Sequence, residues 1–206
     1  FDCLVIQHAE DQELSKDGMI NDGIISTKLG IPGISDLAEK IIIERDLSLL
    51  EETNCRYHIS QISSRKSLDL INYKKDAVNF TTGVSINNLA LNENDIGEFR
   101  TFLKLSPPLR TEEDRISLIE GINKNLIDVL VSDHKPEDEE SKRLTFSQAA
   151  TGASGIETLL SLALEQFHNG SIKLEKIIEL ITHNPAKILK INKGNLSVGS
   201  DGDFCV

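Results

Sequence analysis

Leu126-Ile-Asp-Val-Leu-Val-Ser-Asp-His-Lys-Pro-Glu137 is the stretch on which the fold reading turns. Its apolar run has strand length and stops at Ser132-Asp133-His134, and Pro136 keeps the following residues from extending a ladder. An acid and an imidazole at the carboxyl end of a buried strand mark the rim where parallel α/β sheets and barrels place their chemistry.

Outward from this stretch, strands alternate with helices. Cys3–Ile6 reads as a buried strand with His8-Ala-Glu-Asp11 at its end, and residues 12–33, with Gly30-Ile-Pro-Gly33, read as an excursion over the rim. Ser35 or Asp36 caps a helix to about Glu52. Arg56–Ile62 is the second strand, followed by a helix capped by Ser63-Ser64, and Val78–Ile86 is the third. Phe102–Leu105 is expected as a short fourth strand, Thr111-Glu-Glu-Asp114 as a helix start, and Leu126–Val131 as the fifth strand. Helices over Ser154–Phe167 and Leu174–Ile181, and a shorter one opened by Pro185, complete residues 1–194. Asn195–Val206 is expected to begin a small C-terminal β segment. Five βα units without a dinucleotide fingerprint predict part of a parallel (β/α)8 TIM barrel, about its last five strands. Both ends read as strands cut from something longer.

The 206 residues are 39% hydrophobic and 27% charged, the balance of a globular domain. A net charge of −11 argues against nucleic acid or an anionic membrane as partner, because both need a basic footprint; a small anionic substrate remains compatible. No apolar run is long enough to span a bilayer. Cys3, Cys55 and Cys205 have no zinc-module spacing, so reduced thiols and a cytoplasmic location are the expectation.

His8, His58 and His134 lie at or near strand ends, with Asp11 and Asp133 at comparable places. His and Asp at a barrel rim suit a divalent ion that activates water. Strand alternation puts Tyr57, Ile59 and Gln61 on one face and His58, Ser60 and Ile62 on the other, so His58 and Gln61 are expected on opposite faces. No strained Gly-x-Ser-x-Gly elbow accompanies the serines, and Gly152-Ala-Ser-Gly155 reads as a helix entry turn.

Several pieces, in order, resemble the dihydroorotases of the amidohydrolase superfamily. They are His8-Ala-Glu-Asp11; Leu29-Gly-Ile-Pro-Gly-Ile34 with Ala38-Glu39 and Glu44-Arg-Asp-Leu47; Lys104-Leu-Ser-Pro-Pro-Leu-Arg110; Ser132-Asp-His134; and Gly155-Ile-Glu-Thr158. The Pro-Pro-Leu-Arg piece is shared with hydantoinases and allantoinases. The resemblance implies a zinc-dependent cyclic amidohydrolase that interconverts N-carbamoyl-L-aspartate and dihydroorotate in pyrimidine synthesis. It implies metal positions at Asp11 and Asp133, with Asp133 also shuttling the proton, and substrate contacts at Ser106, Arg110 and Glu137. The five strands would be the fourth to eighth of the barrel. The family's histidine ligands on its fifth and sixth strands fall here at Gln61 and Asn88, its Asn before Pro-Pro at Ser106, and a His at Glu137. Neutral amides are weak ligands for a zinc-like ion. The alternative implied by these departures is a non-catalytic dihydroorotase-like subunit supporting aspartate transcarbamoylase; the partners implied are a small-molecule substrate and a homo-oligomer or that transcarbamoylase.

Overall fold

The computed structural model describes residues 3–203. Four parallel strands form the main sheet: β1 (Leu4–Gln7), β4 (Arg56–Ile62), β5 (Thr81–Ser85) and β6 (Val129–Val131), adjacent in that order. The remaining strands, β2 (Ile20–Asn21) and β3 (Gly33–Ile34), make a separate parallel pair in the excursion after β1, a pairing too short for periodicity to announce. Register runs from Leu4 opposite Arg56, through His58 opposite Thr81, to Gly83 opposite Val129. Gly83 is fixed by close approach, since a Cβ there would stand 2.1 Å from the Ser60 carbonyl oxygen.

Each crossover carries a helix onto the same apolar layer. Helix α2 (Leu37–Thr53) buries Ile42, Ile43, Leu47 and Leu50, α3 (Arg65–Lys74) buries Leu68 and Ile71, and α5 (Glu112–Asn123) buries Leu118 and Ile122. These side chains join Tyr57, Ile59, Ile62, Val84 and Leu130 of the strands in one core. The helix starts follow from their caps: Ser64 accepts from the Ser67 amide, and Thr111 forms a reciprocal box with Asp114.

Three sequence expectations change. Phe102–Leu105 is no strand. Thr101–Leu103 is a turn of 3-10 helix, and the next residue, Lys104, buries its ammonium on the carbonyls of Phe146, Ser147 and Ala149. β6 therefore pairs directly with β5, and the main sheet has four strands rather than five. The helix expected from Ser154 begins at Leu159, as α7 (Leu159–His168). Residues 195–203 form no strand; the rest of the expected C-terminal β segment, 204–206, lies outside the described residues. Among the described residues no helix is long and apolar enough to cross a membrane. The parallel βα class itself stands.

Candidate active site

At the carboxyl ends of β1, β4 and β6 the chain lines a half-open cavity of about 500 Å3, with His8, Glu10, Gln61, Ser106, Asp133 and Lys135 among its walls. The β1 end supplies an acid and a base. Glu10 Oε2 accepts a hydrogen bond from Ser106 Oγ at 3.0 Å and lies 3.2 Å from His8 Nε2, which is also 3.2 Å from Ser106 Oγ. The His8 contact, helped by Ser106 and opposed by burial, holds the Glu10 carboxyl down to about 2. The same contact raises the His8 imidazole above its usual value, against partial burial.

β4 contributes Gln61 through an irregularity. Tyr57 donates to Asp46 on α2, and both Ile59 and Ile62 enter the core, three residues apart. The ladder to β5 shifts register between Ile59 and Ile62, so alternation is broken there. Gln61 thereby turns to the cavity, its Nε2 donating to Asp133 Oδ1 at 3.3 Å and to the Ser106 carbonyl at 3.4 Å. His58 points away from the Tyr57 face to Thr81 Oγ1 at 2.8 Å, and burial lowers its pKa. The expectation that His58 and Gln61 lie on opposite faces is thus corrected: the shift lets both side chains leave the α2 side.

Asp133 follows β6 with a left-handed backbone, φ 49°. Burial raises its carboxyl above the ordinary range, opposed by the bond from Gln61 and the nearby His8 and Lys135. An acid with this bias, beside two hydrogen-bonding groups and a cavity, is equipped to hold or release a proton near a bound ligand. His134 is not part of the cavity wall; its Nδ1 accepts from the Gly155 and Ile156 amides and shapes the turn ahead of α7.

The structure therefore brings together four of the residues singled out from sequence, His8, Gln61, Ser106 and Asp133. It does not bring in the others. Asp11 Oδ1 accepts from the Glu13 and Leu14 amides at 3.0 and 2.9 Å, so its carboxylate caps its own turn while Glu10 takes the cavity side. Asn88 sits in α4 (Ile86–Ala90), its Nδ2 on the Pro108 carbonyl at 3.0 Å and its Oδ1 buried without a partner. Arg110 is 3% exposed, its Nε donating to Ser63 Oγ and its Nη1 to Asn21 Oδ1 and the Ile34 carbonyl. Glu137 is exposed and outside the cavity lining. Glu10 and Lys104 escaped the sequence reading: a pair of adjacent acids past a strand end carries no face information, and a lone Lys gives no sign that it will be buried.

The donor set does not fit the zinc site that the family resemblance implies. Gln61 presents its amide nitrogen to Asp133, Asn88 is tied to Pro108, and Asp11 serves a turn. Among the described residues no group of three or more His, Cys, Asp or Glu is placed to hold a metal ion.

The Amidohydrolase family model matches residues 2–206. Curated dihydroorotases from Ehrlichia canis (strain Jake) and Syntrophus aciditrophicus (strain SB) are 40% and 39% identical, each over 100% of this chain but 46% and 49% of their own length. Among solved structures, the L-hydantoinase (dihydropyrimidinase) from Arthrobacter aurescens superposes with a TM-score of 0.82 at 26% identity, over 98% of this chain and 47% of its own. The chain thus spans about half the length of the relatives it matches. With its parallel βα sheet and a family match running through to its last residue, the chain belongs to the Amidohydrolase family.

Proposed function

We propose that this chain forms part of a dihydroorotase-like cyclic amidohydrolase of pyrimidine synthesis, cytoplasmic in location. The observation that carries the reading is the convergence of Asp133, Gln61, Ser106, His8 and Glu10 on one cavity at the strand ends, in a chain similar along its whole length to dihydroorotases. A cavity of about 500 Å3 is of the size that takes a small cyclic amide. When the ring opens, the departing nitrogen needs a proton. Water adds to the ring carbonyl carbon as its bond to nitrogen breaks, and Asp133, its pKa raised by burial, takes a proton from that water and passes it to the departing nitrogen; ring closure runs the same transfer in reverse and releases water. Gln61 fixes the Asp133 carboxyl and also reaches the Ser106 carbonyl, while the Ser106 hydroxyl and the His8–Glu10 pair offer further hydrogen bonds on the same lining. Lys135 on the lining suits an anionic substrate, as does His8 when protonated; Arg110 is outside the lining, its Nε and Nη1 held by Ser63, Asn21 and Ile34. The described residues of this chain do not form a donor set for zinc.

The second reading, a non-catalytic subunit that supports aspartate transcarbamoylase, is favoured by that same donor set: two amides and a turn-bound Asp11 where the resemblance implies metal ligands. The full-length protein assayed with dihydroorotate and with N-carbamoyl-L-aspartate separates the two. Turnover that falls at least roughly a hundredfold in Asp133→Asn supports the enzyme. Absence of turnover, with co-purification of the transcarbamoylase, supports the subunit.

A further inference from the structure

At the end of the sheet remote from the cavity, Cys3 immediately precedes β1 and Cys55 immediately precedes β4. β1 and β4 run parallel with Leu4 opposite Arg56 and Val5 opposite Tyr57. Continued one residue back past the last paired residues, that register sets Cys3 opposite Cys55, each immediately before its strand. Register partners of a parallel pair project to the same face, and adjacent strands lie about 4.8 Å apart. That spacing falls inside the roughly 4.4–6.8 Å of Cα separation that disulfides bridge. Continued in the same way, strand alternation sets Cys3 on the face of Val5 and Cys55 on that of Tyr57, which are register partners. Both cysteines are free and exposed, so a small oxidant reaches either one. Neither takes part in the cavity chemistry, and no zinc-type spacing joins them.

We infer that Cys3 and Cys55 form a reversible intramolecular disulfide that fastens the edge strand β1 to β4. With a low-molecular-weight disulfide as oxidant, one cysteine thiolate attacks a sulfur of the oxidant, giving a mixed disulfide and one small thiol. The second thiolate attacks the protein sulfur of that mixed disulfide and expels a second small thiol. The two cysteines lose two electrons and two protons in all, and the oxidant's sulfur–sulfur bond is reduced to two thiols. Among the described residues, β1 is bonded within the sheet to β4 alone. It leads to His8 and Glu10, as β4 leads to Gln61, so the bond ties together the two strands that set one side of the cavity.

The test uses the full-length protein with Cys205→Ser, which removes the third thiol of this chain, exposed to oxidised glutathione and digested with trypsin without reduction. Lys16 and Arg45 separate the two cysteines into different peptides. The expected result is a cross-linked peptide joining residues 3 and 55, two hydrogens lighter than the sum of its parts. It exceeds the glutathione adducts of either cysteine by roughly tenfold and is abolished by dithiothreitol. Glutathione adducts without the cross-link, a cross-link between two molecules, or no reaction at all would overturn the inference. None of these outcomes depends on hydrolase activity.

Discussion

Asp133 carries a φ of 49° and a carboxyl whose pKa burial has raised. A raised folded-state value means that ionisation costs stability: the contribution is intact below the ordinary value of 3.8 and is lost as the pH rises through the folded one. Asn tolerates the left-handed backbone and keeps an oxygen for the Gln61 amide. Asp133→Asn is therefore expected to fold and to be more stable than the parent at pH 7 by up to about 1 kcal/mol, a margin that disappears below pH 4. Urea unfolding at the two pH values measures it. The His8–Glu10 pair behaves differently. Glu10, lowered to about 2 from 4.5, stabilises above 4.5 and loses that contribution as the pH falls toward 2; His8, raised above 6.5, stabilises below 6.5 and loses it as the pH climbs past its raised value. Both contributions are complete only between those two ordinary values. His8 is 41% exposed, so solvent screens the pair. Glu10→Gln is expected to cost roughly 1 kcal/mol at pH 5.5 and progressively less toward pH 2, read from the same unfolding curves.

The element that links motifs to architecture is a buried acid on α2. Glu39, 3% exposed, accepts from the amides and hydroxyls of Ser63 and Ser64 at the β4–α3 junction, and Ser63 in turn accepts from Arg110. Arg110 also grips Asn21 and the Ile34 carbonyl, so one network joins α2, α3 and the β2–β3 excursion. Glu39→Ala leaves these donors buried without an acceptor and is expected to cost roughly 2–4 kcal/mol, seen as a lowered urea midpoint at unchanged slope. The Ile-Pro-Gly-Ile and Pro-Pro-Leu-Arg pieces that pointed to a family by their letters are, physically, parts of this scaffold. Strand β4 was legible to the residue because a β-rich run is bounded by Asn54-Cys55 and two capping serines. The direction of Gln61 was not legible. A register shift between Ile59 and Ile62 depends on the neighbouring strand, and no local pattern encodes it. Phe102–Leu105 misled for a similar reason: Lys104 reaches carbonyls more than forty positions away, and that bond, invisible in the window, replaces a ladder. Gln61→His would set an imidazole beside Asp133. It is expected to raise zinc bound per chain in the full-length protein, by elemental analysis, and unchanged content would count against position 61 as a ligand position.

Taken whole, the described residues make a four-stranded parallel sheet with β1 and β6 at its edges. Val5 and Ile6 of β1 are 43% and 54% exposed, a combination of open edge and apolar side chains that invites strand pairing. Residues 1–206 expressed alone are expected to self-associate, with a light-scattering mass above the 22.8 kDa of one chain; a monodisperse monomer would show that the edge is shielded. The central claim is that the rim of this sheet works on a cyclic amide through Asp133. It is tested most directly by following dihydroorotate ring opening in the full-length protein, beside Asp133→Asn, with ligand binding measured in parallel by calorimetry. The account predicts turnover in the parent, a loss of at least roughly a hundredfold in the variant, and ligand affinity within about threefold between them. Equal turnover in the two proteins, or no turnover in the parent under any metal supplement, would contradict it.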